Sequence, residues 1–232
     1  MKLFRPFCAL FGTLALATAT LNAQIYTELG DAGQTLGTAQ NTGAIGGQPL
    51  NTIFGTIATP GDADLFRITL TAPTTFSATT TFGGTTTLDT ALFLFNNLGQ
   101  AIYTNDDVSG SSLQSTLPSG TSFTMSLAAG TYYIAISLSG NEPIHLNGQL
   151  LFAAYIAGNS SSIRGAAAGV NPSTLSGFNG ATSFAETGAY RIDFTSTSTA
   201  IPEPSTTAFC LVAAGAAGVV ARRRRKSRSL SA

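Results

Sequence analysis

The sequence has no tryptophan and a single histidine, His145. Its two cysteines, Cys8 and Cys210, both fall in apolar segments near the termini, so the long middle region has no thiol. That excludes a disulfide framework and a thiol nucleophile there, and leaves stability to packing, hydrogen bonds and metal. Residues 24–200 also lack lysine: ten acids stand against three arginines, a net charge of −7 hidden by the formal zero of the whole chain. A basic nucleic-acid footprint is therefore absent from this region. Hydrolysis needs a nucleophile, a base and a group to orient them. There is no Gly-x-Ser-x-Gly, no His-Glu-x-x-His and no glycine-rich phosphate loop. His145, beside Pro143, reads as a solvated or packed side chain. A carboxylate-dependent glycan hydrolase stays formally open, but no pair of acids is singled out, and the expectation is a protein that is not an enzyme.

The basic charge that the middle lacks sits at the two ends. Lys2 and Arg5 precede an apolar run over 7–21, which ends at Leu21-Asn22-Ala23. This is the pattern of a secretory signal peptide, residues 1–23, addressed to the Sec translocon. Cleavage is expected after Ala23, with Ala17-Thr18-Ala19 as the alternative. Cys8 lies inside the apolar run, which argues against a lipoprotein. At the other end, Pro202-Glu203-Pro204 precedes an uncharged run over 206–221, followed by Arg222, Arg223, Arg224, Arg225 and Lys226. The prolines stop a preceding strand. The apolar run leaves water as a helix that satisfies its own backbone, and the basic cluster stays on the cytoplasmic side. Sixteen residues reach about 24 Å, short against a hydrocarbon core of about 30 Å, as suits a transient anchor.

In order and spacing, residues 202–228 resemble a bacterial PEP-CTERM sorting signal. The resemblance implies processing by an exosortase near Pro202, Glu203 and Pro204. It also implies an inner-membrane intermediate, and release to the cell surface or extracellular matrix of a Gram-negative host that makes exopolysaccharide.

Removing both signals leaves about 177 residues, enough for one domain with a core. Residues 24–49 read as a short strand near Ile25-Tyr26 followed by loop. From 50 onward apolar and polar residues alternate, the signature of strands. Phe66, Ile68 and Leu70 share a face, as do Phe123, Met125 and Leu127. So do Tyr132, Ile134, Ile136 and Leu138, and near the end Tyr190, Ile192 and Phe194. The run 88–95 is apolar on both faces and predicts a central strand. Turn clusters separate these runs: Thr59-Pro60-Gly61-Asp62, Asn96-Asn97-Leu98-Gly99, Asn105-Asp106-Asp107. A further strand is expected over 146–156, a Gly/Ser/Ala-rich surface insertion over 157–187, and a linker over 196–201. The fold class is all-β, a jelly-roll-like antiparallel β-sandwich over 50–195, flanked by the signal peptide and a single C-terminal transmembrane helix.

Gly61-Asp62-Ala63-Asp64-Leu65-Phe66, Leu88-Asp89-Thr90-Ala91-Leu92-Phe93-Leu94-Phe95, Asn105-Asp106-Asp107 and Ala129-Gly130-Thr131-Tyr132-Tyr133 occur in that order. Together they resemble a bacterial pre-peptidase C-terminal (PPC) domain. The resemblance implies a jelly-roll-like sandwich that serves as an accessory or binding unit.

The acids are the one constellation with chemistry to offer. Asp62, Asp64, Asp89, Asn105, Asp106 and Asp107 fall at turns and strand ends. Loops at one end of a sandwich would gather them into an oxygen-rich site for a hard cation such as Ca²⁺. Asp64 matters most, because alternation turns it to the face of Phe66 and Ile68, where a carboxylate needs a partner. The plainer alternative makes Asp62, Asp106 and Asp107 turn residues bonded to local backbone. Tyr103 and Tyr133 are candidates to stack on sugars. The expected role is a structural, adhesive or carbohydrate-binding module with exopolysaccharide as partner. The alternatives are an accessory module for a secreted hydrolase, and the carboxylate-dependent hydrolase above.

Overall fold

The computed structural model describes residues 24–43, 49–70, 76–80, 87–119, 127–154, 159–169, 173–182 and 185–196. The expected signal peptide, the 123–125 strand segment and the sorting signal with its helix lie outside them. Among the described residues thirteen strands form: β1 (Gln24–Thr27), β2 (Gln40–Asn41), β3 (Leu50–Ile57), β4 (Ala63–Leu70), β5 (Phe76–Thr79), β6 (Thr90–Asn96), β7 (Ala101–Asn105), β8 (Thr116–Leu117), β9 (Gly130–Leu138), β10 (Pro143–Ile144), β11 (Arg164–Gly165), β12 (Gly177–Phe178) and β13 (Gly188–Ser196). One sheet runs β1-β3-β13-β5-β8, the other β11-β7-β6-β9-β4-β2, and β10 and β12 form a separate pair. The protein is all-β, with no helix among the described residues. Its long pairings are antiparallel, whereas β1 on β3 and β2 on β4 are parallel. Both parallel pairs are made by the N-terminal segment, which lies alongside the sandwich as edge strands.

Alternation builds the space between the sheets. Phe66, Ile68 and Leu70 of β4, Leu92 and Leu94 of β6, and Ile134, Ile136 and Leu138 of β9 meet Ile53 and Ile57 of β3, Phe76 of β5, and Tyr190, Ile192 and Phe194 of β13. The β6–β7 hairpin shows how local chemistry sets the register. The Asn96 side-chain oxygen accepts from the backbone N–H of Leu98 (2.9 Å) and of Gln100 (3.0 Å). Gly99 supplies the positive φ of 76° that the turn requires.

β6 is central, between β7 and β9, and both of its faces are covered. Its second face, with Phe93 and Phe95, packs against Leu151, Phe152, Leu175 and Phe178. Phe93 meets Phe178 edge-on at 5.8 Å and Phe152 at 5.5 Å, contacts that add specificity to area burial. The stretch expected to be a surface insertion thus carries core. Leu175 and Phe178 cover the outer face of the six-stranded sheet, β11 extends its edge, and Arg164 forms a buried ion pair with Glu142 at 2.7 Å. An uncovered Phe93–Phe95 face would be costly in water, which is why the chain returns across it. Within 146–154 there is no continuous strand, only bridges from Ile144 to Leu150 and from Phe152 to Ala166. Leu146 is exposed in a turn. Thr195 and Ser196 still belong to β13, paired with Ser77 and Phe76, so the linker begins after them.

Candidate metal centre

The six oxygen-bearing residues singled out above lie along one rim of the six-stranded sheet. Asn105 is in register with Leu92, Leu92 with Ile136, and Ile136 with Asp64. That row crosses β7, β6, β9 and β4 in order. At about 4.8 Å per strand step, Asn105 and Asp64 stand roughly 14 Å apart. A cation with oxygens at 2.3–2.6 Å cannot bridge such a span. The rim therefore separates into two groups, with β9 between them.

At the β4 end, Asp64 points between the sheets and is fully buried. The Tyr190 hydroxyl, from the facing sheet, donates to its Oδ2 at 2.7 Å, while its buried Oδ1 has no hydrogen-bond partner. Two further acids come from the segment after β1, which had read as loop. Glu28, Asp31 and Asp64 each present a carboxylate oxygen, and these oxygens lie within 4.8 Å of one another. Twice a Ca²⁺–oxygen distance is about 4.8 Å, so the spacing is of the order that one hard cation could span. Glu28 is held by backbone donors, Ala32 N–H at 3.0 Å and Thr56 N–H at 2.8 Å. Asp31 accepts from Gly33 N–H at 2.8 Å. Gly55 completes the arrangement, because a Cβ there would strike the Tyr190 hydroxyl and the Glu28 carboxylate. Burial raises the Asp64 pKa to about 8; the Tyr190 hydrogen bond opposes the shift, and the Glu28 and Asp62 charges add to it. Tyr190 is likewise pushed well up, by burial first and then by the Asp64 charge. The direction of these shifts favours the protonated carboxyl of Asp64 at neutral pH.

Asp62 does turn work: its Oδ2 accepts from Ala58 N–H at 2.8 Å. At the β6–β7 end several groups also have local tasks, although Oδ1 of Asp89 and of Asp107 is buried without a hydrogen-bond partner, as Oδ1 of Asp64 is. Asn105 accepts from Thr116 N–H at 2.9 Å and donates to the Ser161 carbonyl at 3.3 Å. Asp106 accepts from the Ser139 hydroxyl at 3.0 Å. Asp89 accepts Ser139 N–H on its backbone carbonyl and donates its own N–H to Glu186. Burial, then the charges of Asp107 and Glu186, lift its pKa to about 6. Among the described residues, this group does not bring three carboxylates into the reach of one ion.

The remaining candidates separate by exposure. Tyr103 is fully buried in the inter-sheet core, so it is not available to stack on a sugar. Tyr133 is half-buried at the mouth of a cleft. His145 sits in a turn with its Nδ1 against the Asn147 side-chain oxygen at 3.1 Å. Reading the sequence missed Glu28, Asp31, Gly55 and Tyr190. The pair of acids in Glu28-Leu29-Gly30-Asp31 lies between β1 and β2, and nothing in the sequence ties it to Asp64.

Comparison with known families finds two matches within the chain. Residues 62–138 match the bacterial pre-peptidase C-terminal domain, and residues 200–226 match the PEP-CTERM protein-sorting motif. The chain thus carries a region similar to a PPC domain, followed by a PEP-CTERM sorting motif. No curated protein matches it. The PPC match spans β4 through β9 and takes in Asp62, Asp64, Asp89, Asn105, Asp106 and Asp107. Glu28, Asp31, Gly55 and Tyr190 lie outside it, on β3, β13 and the segment after β1. The sorting motif marks the chain for exosortase processing, export and a membrane-anchored passage.

Proposed function

We propose that the PPC-type sandwich is the cargo of this sorting system: a non-catalytic binding or structural module, locked by calcium and delivered to the surface or exopolysaccharide matrix of a Gram-negative cell. The observation that carries the reading is the position of β13. It is the central strand of the five-stranded sheet, ends at Ser196, and is followed within four residues by the sorting motif. The folded unit and the address are therefore adjacent, with a cut near Pro202, Glu203 and Pro204 freeing the sandwich intact.

Calcium would be held by Glu28, Asp31 and Asp64. It would neutralise converging carboxylates and pin the N-terminal segment to β4, a structural role in which the ion takes no part in a reaction. The fit rests on the buried, donorless Oδ1 of Asp64 and on an all-oxygen donor set. The non-catalytic reading is supported by His145, which lies against Asn147 in a hairpin turn rather than beside a nucleophile.

The test is expression of the full chain in an exosortase-bearing host and in the same host lacking that enzyme. Mass spectrometry should find the C-terminus removed near residue 204 only in the first, with the product in the matrix fraction. Intact chain retained in the membrane of both hosts would contradict the reading.

A further inference from the structure

Outside the carboxylate rim, the outer face of the six-stranded sheet is only partly covered. Phe152, Leu175 and Phe178 cap Phe93 and Phe95, and the apolar layer thins out at Tyr133, Leu36 and Ala39. There a cleft of about 440 Å³ opens, lined by Leu36, Asn41, Arg67, Asn97, Thr131 and Tyr133, among others. Arg67 and Tyr133 are register partners across β4 and β9, and Asn41 is the register partner of Arg67 on β2. The sheet itself therefore sets their spacing. Leu36 makes a wall by lying on Gly99, where any Cβ would strike it.

Arg67 is the informative residue. The region 24–200 has three arginines and no lysine. Arg164 is paired with Glu142 and Arg191 with Asp193. Arg67 is exposed and has no ion pair among the described residues, and no acid lines its cleft. Residues 24–200 carry a net charge of −7, yet alternation turns this guanidinium to the face opposite Asp64, three residues away. A planar five-donor fork is suited to a carboxylate. The ring of Tyr133 beside it offers an apolar plane with a polar tip. The amides of Asn41 and Asn97 and the hydroxyl of Thr131 both donate and accept, as sugar hydroxyls do.

We infer that this cleft binds a carboxylate-bearing saccharide, a uronic acid unit of a polysaccharide, with Arg67 on the carboxylate and Tyr133 against the ring. The inference rests on the matrix-binding reading above and names the surface and sugar class that would serve it. The overall negative charge opposes a polyanion, but screening over about 8 Å at physiological salt leaves the contact at Arg67 local.

The experiment is titration of the detergent-purified full chain with polygalacturonate, dextran and poly-glutamate. Polygalacturonate should bind, and poly-glutamate should not. Arg67→Gln should weaken polygalacturonate binding about tenfold without changing the melting temperature, because the side chain is exposed. Tyr133→Phe should retain binding, and Tyr133→Ala should lose it. Equal affinity for polygalacturonate in wild type and Arg67→Gln, or preference for dextran or poly-glutamate, would overturn the inference while leaving a matrix role intact. No affinity for either polysaccharide would remove the binding reading and this inference with it, leaving the sorting result to stand alone.

Discussion

The two ends of the acidic rim are built from the same residue type on the same sheet, yet they behave differently. On β4, Asp64 faces the space between the sheets, where the Tyr190 hydroxyl donates to it, and Glu28 and Asp31 converge on it. Next to β6 and β7, Asn105 and Asp106 find side-chain and backbone partners nearby, and Asp89 is crowded by charge without forming a three-carboxylate focus. Unmet acceptor capacity does not separate the ends, because Oδ1 of Asp89 and of Asp107 is buried without a partner too; what separates them is that other chain segments bring two further carboxylates to Asp64. Position along the rim alone does not decide.

Asp64→Asn should break the contrast most strongly. The amide still accepts from Tyr190 but cannot ionise. The sign follows from linkage: a carboxyl raised from about 4 unfolded to about 8 folded costs no stability below pH 4 and progressively more as pH rises to 8. Cation-free wild type should therefore lose stability across pH 4–8, and Asp64→Asn should lose much less. At pH 8 the variant should melt higher than cation-free wild type and gain nothing from calcium. Wild type should gain roughly 2.7 kcal/mol at a calcium concentration 100 times its dissociation constant. Thermal melts over this pH range, with calcium or chelator, read all of this.

Gly55→Ala comes next. The added methyl collides with the Tyr190 hydroxyl and the Glu28 carboxylate, and overpacking of this kind costs about 1–3 kcal/mol. Denaturant melts should show that loss together with weakened calcium response; an unchanged midpoint would mean that Tyr190 and Glu28 need not sit as described. The smallest effect is expected at the other end of the rim. The Asp89 carboxyl is raised to about 6, so its cost grows only from pH 4 to 6. Asp89→Asn should flatten that narrow window and leave the calcium gain at pH 8 untouched. Loss of the calcium gain in this variant would move the metal to the β6–β7 end.

The fold was legible where periodicity is local. Alternation in β4 placed Asp64 beside Phe66 and Ile68 on the inner face, and the doubly apolar 88–95 run announced a central strand. The carboxylate focus was not legible, because Gly55 and Tyr190, register partners on the facing sheet, meet Asp64 only through the packing of one sheet on the other, and Glu28 arrives from the segment after β1. Tyr190 lies 126 residues from Asp64. The role of 157–187 was hidden for a similar reason. Its composition reads as loop, and only the apolar outer face of β6 demands that Leu175 and Phe178 return to cover it. Tyr103 and Tyr133 look alike in sequence; the sheet face each occupies separates a core ring from an accessible one.

The most direct test of the central claim is calorimetry of the full chain at pH 8 with calcium and with chelator, for wild type, Asp64→Asn and Asp89→Asn. A calcium-dependent rise in melting temperature in wild type and Asp89→Asn, absent in Asp64→Asn, is the predicted result. Superimposable traces for wild type with and without calcium, or a rise that survives in Asp64→Asn, would contradict it.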